Sequence, residues 1–448
     1  MKFKFSAIAV AVAAATLSVG AQAAAVDFHG YARSGVGSST DGGSMVCYRN
    51  VGSMNFYRLG NECDTYAELA FDANLAEKGD SKFNIHTMLA LGTQQTADWE
   101  NTAPAFRQMW AEATSIGSGA LSTASLWVGK RYYKRQDIHM IDFFYNEIAG
   151  PGAGIEAVDV GFAKFSAAYF RNTEQEWGSS IYTAYKDANG VLYADQGVDR
   201  EKVELKNYAT GNYRPDIANG GANTVSNIDL RLEGIQLGGF GAVDVMANII
   251  SSNNRTKNDG TETNGDGGYA ITGQHTYGVL GGFNRFILQY ADGAANLNGS
   301  GKLNFTGDYS AFRVMDHLVF DFGAVNGSAV IGYSDTKDGD TDLTIGVRPW
   351  YHFNDLYSVG AEYGHIESKP THGETKKLDK FTVAAQISAG KSFWARPALR
   401  AYYTYASWND ALKGSNVACT GRDCEVTAEG FGDKTSGGTY GLQMEAWW

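Results

Sequence analysis

Past residue 25 the chain has no run of 18 apolar residues, so no helix of it can span a membrane. A closed barrel is untouched by that absence, because it crosses with strands of about 9–11 residues that each leave only a weak alternating signal. Basic charge is also scarce: Lys and Arg total 37 against 49 Asp and Glu, a formal net charge of −12. Removing Lys2 and Lys4 with a leader makes it −14 (−12 − 2), which argues against nucleic acid as a partner. Catalytic signatures are missing too. There is no G-x-S-x-G or H-E-x-x-H, and His29, His86 and His139 pair with no defensible serine, so neither a catalytic residue nor a cofactor is expected. NGSGKL lacks the earlier glycine and the following Ser/Thr of a phosphate loop. DGDTD and NGDGG lack the Glu and the repeat of calcium loops, and read as solvated loop acid.

Cysteine is limited to four, a number that fits an oxidising compartment and allows three connectivities. Proximity favours Cys47 with Cys63 and Cys419 with Cys424, the first closure contributing roughly 3 kcal/mol. No histidine lies at zinc-like spacing to either pair, so no metal site is expected. Proline is rare at 6, whereas Gly 55 and Tyr 25 suit a long antiparallel β protein rich in turns and interfacial aromatics.

MKFKFSAIAVAVAAATLSVGAQAAA places two lysines, a short apolar run and three alanines in the order of a secretory signal. Cleavage is expected after Ala25, giving a leader of 1–25 and one barrel domain of 26–448, with no linker or composition break. Alternation of period two recurs from there to the end. Ala67, Leu69, Phe71, Ala73 and Leu75 oppose Glu68, Asp72 and Asn74; Ile228, Leu230 and Leu232 oppose Asp229, Arg231 and Glu233. Leu343, Ile345 and Val347 oppose Thr344 and Arg348, and Leu399, Ala401, Tyr403 and Tyr405 oppose Arg400, Tyr402 and Thr404. Long polar stretches such as NNRTKNDGTETNGDGG alternate with short connections, the inequality of the two rims of an outer-membrane barrel. The 423 residues left after the leader (448 − 25) give on the order of 16–20 strands at about 20–25 residues per strand and connection. In a β-sandwich the charged face would meet outside water; in a wide barrel it lines an aqueous lumen, with lipid outside and Tyr403, Tyr405 and Trp448 in an interfacial girdle.

Several aromatics fall on the polar face. Trp447 shares its side with Gln443 and Glu445, while its twin Trp448 joins Leu442 and Met444; Tyr31 sits with Asp27, His29 and Arg33, and Tyr66 with Glu68. Rings among charges suit a sugar, whose C–H face lies on an aromatic surface while neighbouring charges bind its hydroxyls.

VDFHGYARSG, YRLGNECDTYAEL, ADWENTAPAFR, VGKRYYKRQDIHMIDFFYNEIAGPGAG, GFNRF, WARPALR and the closing QMEAWW resemble the maltoporin (LamB-type glycoporin) family over nearly the whole mature chain. The resemblance implies an 18-stranded antiparallel outer-membrane β-barrel with long external loops and an inward-folded constriction loop, containing KRQDIHMID. It implies homotrimers of a Gram-negative bacterium passing maltose and maltodextrins. It also implies an aromatic slide of Tyr31, Tyr66, Phe283, Trp394 and Trp447, with Trp99 reaching in from a neighbouring subunit. Polar tracks would follow from Arg33, Arg58, Glu68, Arg107, Arg135, Asp137, His139 and Asp142. Phe144 stands where the family's constriction usually has a tyrosine, and Cys419-Thr-Gly-Arg-Asp-Cys424 is an addition. The external loops, the surface a phage would read, follow the family only loosely, so what they recognise does not carry over.

Overall fold

The computed structural model describes residues 25–448 except 50–55, 96–101, 174–181, 187–191, 196–201, 206–211, 214–223, 253–254, 257–261, 264, 303–307, 421–425 and 428–430. Residues 1–24 of the expected leader, Trp99 and Cys424 therefore lie outside the described residues. The wall is built from β1 (Val26–Ser39), β2 (Asp64–Lys78), β3 (Ser81–Gln94), β4 (Ala105–Thr114), β5 (Ser125–Ile138) and β6 (Phe143–Asp159). It continues through β7 (Lys164–Thr173), β8 (Thr224–Gln236), β9 (Ala242–Ser252), β10 (Gly267–Val279), β11 (Gly282–Gly293) and β12 (Ser310–Asp321). It ends with β13 (Val325–Thr336), β14 (Thr341–His352), β15 (Tyr357–Lys369), β16 (Lys376–Ser388), β17 (Ala398–Trp408) and β18 (Ser436–Trp447). Each strand pairs antiparallel with the next, and β18 closes on β1, Tyr31 facing Trp447, to give an 18-stranded barrel.

The faces are inverted relative to a soluble protein. Phe71, Leu75, Ile228, Ile345, Val347, Leu399, Tyr403 and Tyr405 are exposed, whereas Asp229, Arg231, Thr344, Arg348, Arg400 and Thr404 are buried. Apolar outside and polar inside is the pattern of a barrel in lipid, and it rules out the sandwich. Trp448 is 47% exposed on the outer face, tilted against Phe28 at 5.4 Å, as an interfacial anchor is. Both termini share a rim with the short connections, such as 79–80 and 280–281, while the connections 40–63 and 409–435 leave the other rim.

Among the described segments that fold into the lumen, two bear on the inner face beside β18, β1 and β2. β5 pairs with β4 only from Ser125 to Lys130, and β6 with β7 only from Gly152 onward, yet β5 and β6 stay paired to Ile138 and Phe143. The hairpin between those points therefore leaves the wall. Gly129 and Gly150 mark the departure with φ of 137° and 134°, a region closed to side-chain-bearing residues. Its tip packs Ile138, Met140, Ile141, Phe143 and Tyr145 with Ile287, Met315, Val330 and Ile366 of the far wall. The second segment, described over 40–49 and 56–63, is closed by the Cys47–Cys63 disulfide. It lays Tyr57 on β14 and β15, the phenol 2.8 Å from Thr344 Oγ1, and Lys380 Nζ donates to the Leu59 carbonyl at 2.7 Å.

This infolding changes one expectation. Asp229 and Arg231 point inward but meet protein instead of water: Arg231 donates to Asp229 Oδ1 at 2.7 Å, to the Lys134 carbonyl at 3.1 Å and to Asn146 Oδ1 at 3.0 Å. The polar face of β8 is the seat of the hairpin. A methyl group at Gly364 would fall inside the Tyr57 ring. Gly364→Ala is therefore expected to cost about 1–3 kcal/mol in urea unfolding through overpacking, and to expose segment 40–63 to protease; unchanged protection would contradict this seating.

Candidate functional site

Alternation puts Tyr31 of β1, Tyr66 of β2 and Trp447 of β18 on the inner face of three adjoining strands. The closing register sets Tyr31 opposite Trp447, and Arg33 opposite Tyr66, so Tyr66 lies nearer the long-loop rim. The Tyr31 and Tyr66 rings are 6.3 Å apart. Trp394, 37% exposed, sits in the short connection 389–397, and its ring lies 5.8 Å from His139, which contacts Trp447 edge-on at 5.4 Å. Phe283 starts β11 at the same rim, against His317 at 5.5 Å and under Arg285 at 5.2 Å. The rings thus step from the long-loop side to the short-turn side, and three carry their own guanidinium: Arg33 over Tyr66 at 5.3 Å, Arg58 over Tyr31 at 5.7 Å, Arg396 over Trp447 at 4.1 Å.

Beside the rings runs a charge network. Arg33 grips Asp64 with two bonds of 2.8 and 2.9 Å and reaches Glu62 at 3.3 Å. Buried Arg58 donates to Glu62 at 2.6 Å, to His139 Nδ1 at 2.9 Å and to the Tyr31 phenol. Glu445 gathers Arg396 at 2.7 Å, Arg400 at 2.9 Å, His139 at 3.2 Å and Arg58 at 3.4 Å. Burial, reinforced by the Arg58 charge, pushes the His139 imidazole down to about 4. It is neutral at pH 7: Nδ1 accepts from Arg58 and Nε2–H donates to Glu445, a tautomer fixed by its two neighbours. Asp142, at φ 50° in the tip of the hairpin, lies 3.8 Å from Arg33 and 3.9 Å from Arg58.

Among the other expected track residues, Glu68 accepts from the Tyr66 phenol at 2.7 Å. Arg135 pairs with Glu147 at 2.9 Å and lies over Tyr132 at 4.1 Å and Phe144 at 3.9 Å. Asp137 faces Phe144 across the hairpin, within the field of Arg58 and Arg135. Arg107 acts on the Tyr66 and Tyr132 phenols, and its Nε has no hydrogen-bond partner among the described residues. Phe144 presents a ring with no hydroxyl to the Arg135 cation. Cys419 lies in a short strand opposite Cys47. Glu62, Asp64, Arg396, Arg400 and Glu445 were not among the expected track residues, although all lie inside the motifs quoted above; Asp64, Arg400 and Glu445 share the polar face of their strands, whereas Glu62 and Arg396 sit in connections, where alternation gives no signal.

A sequence model of the LamB porin family matches residues 26–448. Solved structures of similar shape include OccAB2 of Acinetobacter baumannii, 10% identical, TM-score 0.46, covering 94% of this chain and 98% of that one. OccK3 (OpdO) of Pseudomonas aeruginosa is 10% identical at TM-score 0.43, covering 95% of each chain. OmpT of Vibrio cholerae in its trimer form is 12% identical at TM-score 0.36, covering 95% of this chain and 100% of that one.

Proposed function

Since the chain belongs to the LamB porin family, we propose that it passes maltose and maltodextrins by facilitated diffusion along Tyr66, Tyr31, Trp447, Trp394 and Phe283. It is a channel and not an enzyme, a multi-pass β-barrel of a Gram-negative outer membrane. The observation that carries the sugar reading is the Tyr31–Trp447 register pair, two inward rings at the seam, with Tyr66 6.3 Å from Tyr31 and guanidinium groups beside each ring.

Weak binding serves such passage, because a site must admit its solute and release it. Ring contacts of about 0.5–1.5 kcal/mol each, set against an ordering cost of at least about 4 kcal/mol, leave an affinity near the millimolar scale. Arg33, Arg58, Glu68 and Asp142 exchange a sugar hydroxyl's water for protein without a covalent step. Leader removal to Val26 and assembly as a homotrimer, with Trp99 entering a neighbouring pore, belong to the same reading; intact mass and unheated gel mobility test them.

Titration of maltohexaose, maltose, sucrose and glucose into planar bilayers is the direct experiment. Block by the maltose series that strengthens with chain length is expected. No block by any sugar would leave a non-binding diffusion pore, and equal block by sucrose would point to another class of glucoside.

A further inference from the structure

Four guanidinium groups of the lumen hold a carboxylate: Arg33 holds Asp64 at 2.8 Å, Arg58 holds Glu62 at 2.6 Å, Arg135 holds Glu147 at 2.9 Å and Arg396 holds Glu445 at 2.7 Å. Arg285 of β11 forms no ion pair among the described residues. Its Nη1 donates to the Tyr145 phenol oxygen at 3.2 Å, while that phenol directs its own proton to Gln136 Oε1 at 2.7 Å and Gln274 Oε1 at 2.5 Å. Nε is closed in by protein without a partner, so Nη2 is the open end of the group. Arg285 faces inward two residues before Ile287, where the hairpin tip meets the wall, and so lies on the short-turn side of that contact. The Phe283 ring is 5.2 Å from its guanidinium carbon.

Asp137 of the hairpin is the matching acceptor. Half-buried, its carboxylate has neither a hydrogen bond nor an ion pair among the described residues, while the Arg285 charge acts on it beside those of Arg58 and Arg135. The two groups are therefore near enough to feel each other and farther apart than 4.0 Å. The hairpin backbone is pinned where it stands, since Gln289 Nε2 donates to the Tyr145 carbonyl at 2.7 Å. A gap between an open donor and an open acceptor takes a molecule that serves both. A hydroxyl does, accepting one hydrogen bond and donating another.

We propose that Arg285 and Asp137 clamp one hydroxyl of the glucose unit that rests on Phe283 as a maltodextrin leaves the constriction. Arg285 Nη2 donates to the hydroxyl oxygen, and the hydroxyl proton goes to the Asp137 carboxylate, so both bonds are charge-assisted. Arg285 is thereby a specificity-determining residue of the passage: a unit without that hydroxyl leaves two charged groups unserved. The clamp rests on the sugar reading given above.

Maltohexaose block in planar bilayers, with the zero-current potential in a salt gradient read from the same membranes, tests it. Arg285→Met is expected to raise the half-blocking concentration about ten-fold, the loss of one charge-assisted hydrogen bond. Arg285→Lys should recover part of that loss, and Asp137→Asn, which keeps an acceptor oxygen, should weaken block about three-fold. The double variant Arg285→Met with Asp137→Asn should lie within about two-fold of Arg285→Met alone, because both residues act on one hydroxyl. The zero-current potential should move toward cation preference in Arg285→Met and toward anion preference in Asp137→Asn, so weaker block in both is not an effect of the lumen field. Gel mobility of unheated samples confirms that each variant is folded. Unchanged block in Arg285→Met, changes of opposite sign that follow the potential, or strictly additive costs in the double variant each overturn the clamp. Block lost in Trp447→Ala but kept in Arg285→Met overturns the clamp and leaves the aromatic row standing; a parent channel that maltohexaose does not block overturns both.

Discussion

Trp447→Ala is expected to weaken maltohexaose block of the pore current about ten-fold, near 1.4 kcal/mol, while ion conductance changes by less than about two-fold. The indole lies at the seam, opposite Tyr31 in the register, with Arg396 over it at 4.1 Å and His139 edge-on at 5.4 Å. Its removal takes away an apolar surface a sugar ring can lie on, but no charge that an ion feels. Arg396 stays anchored by Glu445 at 2.7 Å and Arg58 by Glu62 at 2.6 Å, so the electrostatic profile of the passage is retained. Tyr66→Ala should behave in the same direction and less strongly, because a phenol offers less surface than an indole. The ratio of the two effects is the decisive quantity. If block and conductance fall together, the rings are filler that shapes the hole, and the sugar path must be sought elsewhere.

Much of this wall was legible because lipid and water impose opposite demands on alternate residues. Ile228 with Asp229, Ile345 with Thr344, and Tyr403 with Thr404 each declared their two faces without any partner strand being known. Trp447 and Trp448 differed for the same reason, one flanked on its face by Glu445 and the other by Met444. What alternation could not convey is which inward groups meet each other. Arg231 reads as a lumen charge, yet it holds the Lys134 carbonyl and Asn146 of the infolded hairpin. Gly364 leaves an inward space on β15 that the Tyr57 ring fills. Both partners arrive from distant sequence, across the barrel, and the departure of β5 from β4 at Gly129 has no period that marks it. Glu445 illustrates the same limit: its side was evident from QMEAWW, but its gathering of Arg58, Arg396 and Arg400 depends on where one strand and two connections deliver their guanidinium groups.

That convergence yields the largest expected loss of stability. Glu445→Ala should cost about 3–5 kcal/mol, because removing one partner of a buried ion pair strands the other charges away from water. Arg396 and Arg400 both bond the same Oε2, at 2.7 and 2.9 Å, and neither has another carboxylate partner among the described residues. Arg58 retains Glu62, and the neutral His139 loses only a hydrogen-bond acceptor, so the damage concentrates at the β17–β18 side of the seam. Urea titration followed by gel mobility of unheated samples should show a clear fall in midpoint. Glu445→Gln, which keeps an acceptor oxygen but no charge, should fall between that variant and the parent. A double substitution with Arg396→Ala separates charge stranding from lost packing: its cost should be smaller than the sum of the two single costs, since the second change removes a cation the first had left unpaired. Strict additivity, or an unmoved midpoint in Glu445→Ala, would mean that the seam is held by its backbone ladder alone and that the network serves only the passage.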